Sequence, residues 1–165
     1  MCALYLKFLG CISVNCTPPS HDQGIDFVGV IHPEDDARFF AKNRIASKIY
    51  IIGQAKHYQS EKVHSHEVRE LAGSLHLLKS RNFALAGDIY KNLEINAYTP
   101  IYAYFITSNY FTSAARQLCL NADIMDVDRI LLALTFATNS QYHDGSGTIY
   151  EQSLWDALHT VSSIS

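Results

Sequence analysis

Three polar residues stand where the surrounding sequence is otherwise apolar. Asp26 lies in the β-rich run Ile25 to Ile31 (IDFVGVI), directly after Gly24. A carboxylate within a strand is costly unless it is paired or bound to a cation. Gln54 and Lys56 interrupt the run Lys48 to His57 (KIYIIGQAKH), two residues apart. Strand side chains alternate with a period of two, so both project from the same face, and a lysine there is seldom fully buried without a partner. If the two strands are neighbours, a carboxylate, an amide oxygen and an ammonium converge at the edge of the sheet. That grouping suits phosphodiester hydrolysis. Asp26 can hold a divalent cation, because Mg²⁺ takes one or two carboxylates and keeps several waters. The Gln54 side chain and the Ala55 backbone carbonyl can add hard oxygen ligands. Lys56 can orient or help deprotonate the attacking water and offset charge on the phosphate. The plainer reading is a structural ion pair between Asp26 and Lys56 across two strands.

The elements that must position these residues follow from periodicity. Leu4, Leu6, Phe8 and Leu9 read as the end of a buried helix, with Gly10 as its stop. Cys11 to Cys16 alternates weakly before Pro18-Pro19. Ile25–Ile31 and Lys48–His57 are strands, the second apolar on both faces as in a covered sheet. Between them, Glu34 to Ser47 is a polar excursion. Val63 to Lys79 switches to helical spacing through Val68, Leu71, Ala72, Leu75 and Leu78, with Glu67, Glu70 and Lys79 on other faces. Asn82 to Pro100 reads as an insertion. Ile101 to Thr107 is another strand, Thr112 caps a short helix through Leu120, and Ala122 to Met125 returns as a strand. Asp128 to Thr138 is helical, Gln141 to Thr148 a loop, and Glu151 to Val161 a last helix around Trp155, expected in the core. Helix, three strands, helix, strand is an α/β sandwich with its sheet in the middle.

Composition sets the boundaries. The chain has 165 residues, 48% hydrophobic and 18% charged, with a net charge of −3. That is enough for one packed core and gives no global pull towards phosphate. The stretch from Lys42 to Lys91 is the exception: nine basic residues against four acidic ones, a local field that favours phosphate around the Gln54-Ala55-Lys56 motif. No apolar run reaches the roughly 18 residues of a membrane span. Met1 to Gly10 lacks a basic leader, and Lys7 breaks its apolar stretch, so it does not read as an export signal. Cys2, Cys11, Cys16 and Cys119 form no CxxC pair, which fits reduced thiols and a cytoplasmic location. His57, His64 and His66 do not make a zinc set without cysteine partners.

The strings HDQGIDFVGV, IIGQAKHYQSEKV, HEVRELAGSL and FITSNYFTSAARQL, in that order, resemble the Mrr-type branch of the PD-(D/E)XK restriction endonucleases. There a GID motif supplies the metal-binding aspartate and QxK replaces the usual acidic motif. The resemblance runs from Leu9-Gly10 to about residue 130. It implies an αβββαβ core with a central mixed sheet flanked by helices, in a single nuclease domain over 1–165. Insertions fall at about 33–47 and 80–100, with a helical extension over 128–165. It also implies that Asp26, Gln54 and Lys56 are catalytic, that Asp26, Gln54 and the Ala55 carbonyl ligate Mg²⁺ (or Mn²⁺), and that Asp22 supports them. Lys48, His57, Tyr58, Lys62 and Ser108 are the expected DNA contacts, with Thr107 beside Ser108 a further donor to phosphate or a turn residue. DNA is the expected partner, in a homodimer or higher homo-oligomer, with no membrane and no small-molecule cofactor. Restriction or antiphage defence is the expected setting.

Relatives carry a helix glutamate whose equivalent would precede Met1. With Gln54 neutral, Asp26 is then the one carboxylate in the site if Asp22 points away, and weak Mg²⁺ binding without DNA is expected. Two alternatives accompany this reading: a DNA-binding module of the same fold without turnover, and a regulatory or structural domain in which Asp26 and Lys56 are merely paired.

Overall fold

A computed structural model of the chain describes residues 1–16, 24–32, 48–80, 93, 95, 98–139, 141–144, 146, 148 and 150–162, the last five of these as backbone alone. The order of elements is α1 (Cys2–Phe8), β1 (Ser13–Cys16), β2 (Phe27–Ile31), β3 (Ile49–Lys56), α2 (Ser65–Lys79), β4 (Ile101–Thr107), α3 (Ser113–Asn121), β5 (Ile124–Val127), α4 (Arg129–Ala137) and α5 (Glu151–Ser162). The expected αβββαβ core is present. Asp22, the segment 33–47 and most of 80–100 lie outside the described residues, as do Lys42, Arg44, Arg81 and Lys91 of the basic stretch.

The five strands form one mixed sheet in sequence order. β1, β2 and β3 are antiparallel neighbours, while β4 and β5 run parallel to β3. The parallel pairs need crossovers, which α2 and α3 supply. One face packs Ile52, Tyr50, Val28 and Phe105 against Val68, Leu71, Leu75 and Leu78 of α2 and Ala115 and Cys119 of α3. The other packs Phe27, Ile51, Ile106 and Val127 against Leu4 and Leu6 of α1 and Leu132 and Phe136 of α4. Each such aliphatic or aromatic side chain contributes about 1.5–3 kcal/mol on full burial. This double cover is why β3 reads as continuously apolar.

Local signals set the element ends. Gly10 has φ +88, the left-handed conformation in which α1 stops. The Thr112 side chain accepts the Ala115 N–H, and Asp128 accepts the N–H groups of Ile130 and Leu131, capping α3 and α4. Gly53 has a different constraint: a Cβ there would sit 1.9 Å from the Tyr104 carbonyl oxygen and 2.6 Å from Phe27 Cζ. The residue preceding the QAK motif therefore tolerates no side chain.

Four expectations need correction. Trp155 is 60% exposed rather than in the core, because the apolar side of α5 is carried by Leu154 and Ala157, which pack against the α1 side. Glu67, read on a face apart from the apolar one, is buried, since the Tyr58 hydroxyl and the His64 N–H donate to its carboxylate. The segment read as an insertion reaches inward at Ile95, which fills the core beside α2. Asp26 precedes β2 instead of lying within it. Among the described residues, no helix is long and apolar enough to cross a membrane.

Candidate active site

β2 begins one residue after Asp26, while β3 runs on past it. The Asp26 N–H donates to the Gly53 carbonyl at 2.8 Å, and Asp26 Oδ2 accepts the Ala55 N–H, also at 2.8 Å. Main chain and side chain of one residue thus occupy alternate positions along β3, and the carboxylate replaces the ladder where β2 has no further strand. Backbone groups of a strand point alternately to its two sides, so the Ala55 carbonyl faces the same edge as its N–H. The Asp26 carboxylate keeps its other oxygen for a further partner.

Gln54 and Lys56 project to the α2 face, in step with Ile52 and Tyr50. Gln54 is only 3% exposed, and its Oε1 is a buried acceptor that meets no hydrogen-bond donor among the described residues. Such an atom costs about 1–3 kcal/mol when it stays unmatched. Gly24, at φ +65, brings the chain close: a Cβ there would stand 3.1 Å from Ser74 Oγ and 3.8 Å from Gln54 Nε2. Lys56 is half-buried. Among the described residues neither Asp26 nor Lys56 makes an ion pair. The structural-pair alternative is therefore not what the side chains do.

This donor set suits a hard divalent cation. It offers a carboxylate oxygen, an unmatched amide oxygen and a backbone carbonyl, all oxygen. The unmatched Gln54 Oε1 is the observation that makes the fit, since a cation would give that atom the partner it lacks. Among the described residues, no group of three or more His, Cys, Asp or Glu could hold a metal. His64 and His66 stack their rings 6.1 Å apart instead, and all four cysteines are free.

A second polar cluster lies where β3 and β4 end. The Ser108 N–H donates to the Lys56 carbonyl at 3.2 Å, and Ser108 Oγ accepts the Tyr58 N–H at 3.1 Å. The same oxygen is 2.8 Å from His57 Nδ1 and 3.3 Å from the Tyr58 carbonyl. The Tyr58 hydroxyl donates to Glu67 Oε1, and that hydrogen bond is the first cause pushing the phenol up to about 12, with desolvation next. The other Glu67 oxygen accepts the His64 N–H at 2.8 Å, bracing the start of α2. His57, Tyr58 and Ser108 are thus brought together beside Lys56. Lys62 is exposed between this cluster and α2. Lys48 stands at the other end of β3, about 26 Å away at strand rise, and is not part of the group. Thr107 is wholly buried, and its Oγ1 accepts the Asn109 N–H, so it holds a turn and does not reach a phosphate.

Sequence reasoning missed two members. Glu67 sits three residues after His64, the spacing of a capping box, and that signal was readable although histidine is an unusual cap. Asn109 is buried, its Nδ2 donates to the Glu61 carbonyl at 2.9 Å, and its own carbonyl accepts the Arg129 N–H. Both partners are distant in sequence, so nothing local marked it.

Comparisons with known proteins agree on the family and the fold. Residues 1–86 match the Mrr_cat family model, described as restriction endonuclease. Two solved structures share the fold. One is the DNA modification-dependent restriction endonuclease AspBHI, with a TM-score of 0.58 at 15% identity, covering 98% of this chain and 34% of that one. The other is the MspJI restriction endonuclease in complex with a 27-mer oligonucleotide, with a TM-score of 0.55 at 15% identity, covering 96% and 30%. This chain thus spans about a third of the length of either. No curated protein matches it in sequence.

Proposed function

The chain belongs to the restriction endonuclease family of the Mrr catalytic type, and from that premise we propose that it is a divalent-cation-dependent endodeoxyribonuclease domain. The observation that carries this reading is the Asp26 carboxylate on the Ala55 N–H, one residue along β3 from Gln54, whose buried Oε1 has no donor among the described residues. Asp26, Gln54 and the Ala55 carbonyl would hold Mg²⁺ or Mn²⁺. When bound, the cation supplies Lewis-acid polarisation of the phosphodiester and makes water easier to deprotonate.

The chain's own residues supply the rest. In hydrolysis a water oxygen bonds to phosphorus, one P–O bond breaks, and the departing sugar oxygen takes a proton. The Lys56 ammonium, with no ion-pair partner among the described residues, is free to orient that water and to offset charge on the phosphoryl oxygens. The Ala55 N–H fixes the Asp26 carboxylate before any ligand arrives, so its alignment costs little on binding. His57, exposed beside Lys56, and the exposed Lys62 offer donors to neighbouring phosphates. Cutting both strands calls for two such sites and hence a homo-oligomer. A restriction or antiphage role follows the same reading, as does a cytoplasmic setting.

The test is purified protein with supercoiled plasmid and Mg²⁺ or Mn²⁺. Nicking that stops with EDTA and is lost in Asp26→Ala and Lys56→Ala supports the reading. DNA binding without nicking in the wild-type protein would leave a binding module of this fold.

A further inference from the structure

We propose that Ser108 is a positioning residue rather than a DNA contact, and that it holds the His57 ring with Nδ1 as acceptor and Nε2–H turned to a DNA phosphate beside Lys56. The proposal rests on the nuclease reading for its phosphate, but on hydrogen-bond geometry alone for the ring.

One hydroxyl sits at the centre of this arrangement. Ser108 Oγ has one proton and two acceptor sites. The Tyr58 N–H, at 3.1 Å, uses one acceptor site. The Tyr58 carbonyl lies 3.3 Å from Oγ as an acceptor for its proton, and His57 Nδ1, at 2.8 Å, either accepts that proton or, in the other tautomer, donates its own to the second acceptor site. A separation near 2.7–2.8 Å is that of an O–H donor, whereas N–H donors favour about 2.9–3.0 Å, and on that distance we assign the proton to the bond from Ser108 to His57. A neutral imidazole that accepts at Nδ1 carries its own hydrogen on Nε2. His57 is exposed, and among the described residues Nε2 has no partner. The ring therefore presents a fixed N–H donor to solvent.

The same residue also fixes the backbone beneath the ring. Its N–H donates to the Lys56 carbonyl and its Oγ accepts from Tyr58, one residue to either side of His57. The parallel pairing of Lys56 with Thr107 keeps this link in register. Donation from Ser108 directly to a phosphate would break the 2.8 Å bond to His57 and release the ring. A serine that anchors three consecutive residues does more as a support than as a contact.

Two measurements test this together. Nitrogen-detected NMR of the wild-type protein in alkaline buffer, where imidazoles are neutral, is expected to show His57 with a single N–H at Nε2 and an unprotonated, hydrogen-bonded Nδ1. In Ser108→Ala, signal from the Nδ1–H tautomer should appear, and Ser108→Thr should restore the wild-type pattern. Plasmid nicking by His57→Ala, Ser108→Ala and the double variant gives the second readout. Each single change is expected to lower kcat/KM about three- to tenfold, chiefly through KM, and the double variant should be little worse than His57→Ala. A protonated Nδ1 in the wild type, an unchanged His57 spectrum in Ser108→Ala, or losses that add in the double variant would overturn the proposal. A wild-type protein that never nicks would remove the nuclease reading while the two spectra still decide what Ser108 does.

Discussion

Two neighbouring regions at the C-terminal end of β3 differ in how well their polar groups are matched. Around Asp26, Gln54 and Lys56, a carboxylate keeps a spare oxygen, a buried amide oxygen has no donor, and an ammonium has no ion-pair partner among the described residues. Around Tyr58, Glu67 and Ser108, the buried carboxylate receives two donors and the serine oxygen takes one donor and contacts the His57 ring nitrogen. The first region is costly as it stands and the second is not. Unmatched polar groups persist where a ligand supplies the missing partner, so the first reads as a site and the second as its frame. Substitutions should therefore separate the regions: changes in the first lower activity far more than stability, and changes in the second lower stability with at most a modest loss of activity.

The largest separation is expected from Asp26→Ala and Lys56→Ala. Either should reduce plasmid nicking by about 10³-fold, the scale for losing one group that stabilises transition-state charge. Lys56→Ala should leave the melting temperature within a degree or two, since no ion-pair partner is lost. A melting point that falls by many degrees in Lys56→Ala would make the lysine structural and break the comparison.

The frame should respond in the opposite way. Tyr58→Phe removes one of the two donors to the Glu67 carboxylate and should cost about 1–3 kcal/mol in chemical denaturation. It also changes the pH dependence. With the Tyr58 phenol raised from 10.0 to about 12 by its bond to Glu67, the folded state holds that proton more tightly than the unfolded one. Its contribution is complete below the unfolded value and is lost as pH rises through the window from about 10 to about 12. Tyr58→Phe should flatten that alkaline decline. An unchanged slope in the variant would assign the decline to other groups.

What the sequence disclosed follows the same division. β3 was legible because a strand covered on both faces is apolar throughout, and Gln54 and Lys56 were conspicuous against that background. Asp26 was conspicuous for the same reason, but its hydrogen bond to Ala55 spans 29 residues, and no local pattern encodes such a pairing. The capping of α3 by Thr112 and of α4 by Asp128 was readable because a cap acts within one turn. Glu67 was misread because carboxylates are rarely buried, and its partner Tyr58 comes from the loop before the helix. Trp155 was misplaced because a large aromatic residue in a helical pattern suggests a core face, whereas the packing is done by smaller neighbours. Ser108 belonged to a recognisable strand end, but its role is visible only once β4 lies beside β3.

Gln54 sharpens the contrast at smaller amplitude. Replacing it with leucine, of similar volume, removes the unmatched Oε1 and should raise stability by about 1 kcal/mol. The same substitution should lower cleavage, because an oxygen donor is lost from the cation set. A variant that becomes more stable and less active is the pattern expected where function keeps a local cost in place. Destabilisation in Gln54→Leu would mean that the amide is matched after all, and the two regions would no longer differ in kind.

The smallest effect expected is that of the cation on the free protein. Among the described residues the donors are one carboxylate, one amide and one carbonyl, a set that holds Mg²⁺ weakly, because affinity follows the number of charged oxygens. If the dissociation constant is near the Mg²⁺ concentration used, the stabilisation is on the order of 0.4 kcal/mol, a shift of a few degrees at most in a thermal melt. Gln54→Glu adds a second carboxylate to the proposed cation set. Without cation, the like charges should lower the melting temperature, whereas added Mg²⁺ should restore it with a steeper dependence on concentration than in the wild type. Melts across a Mg²⁺ titration of both proteins compare the two directly. The wild type should respond strongly only when oligonucleotide is also present, since the phosphate then completes the ligand set. A steep response of the wild-type protein to Mg²⁺ alone, or no gain in Gln54→Glu, would show that Asp26 and Gln54 do not share a cation, and the poised region would lose the reason for its unmatched groups.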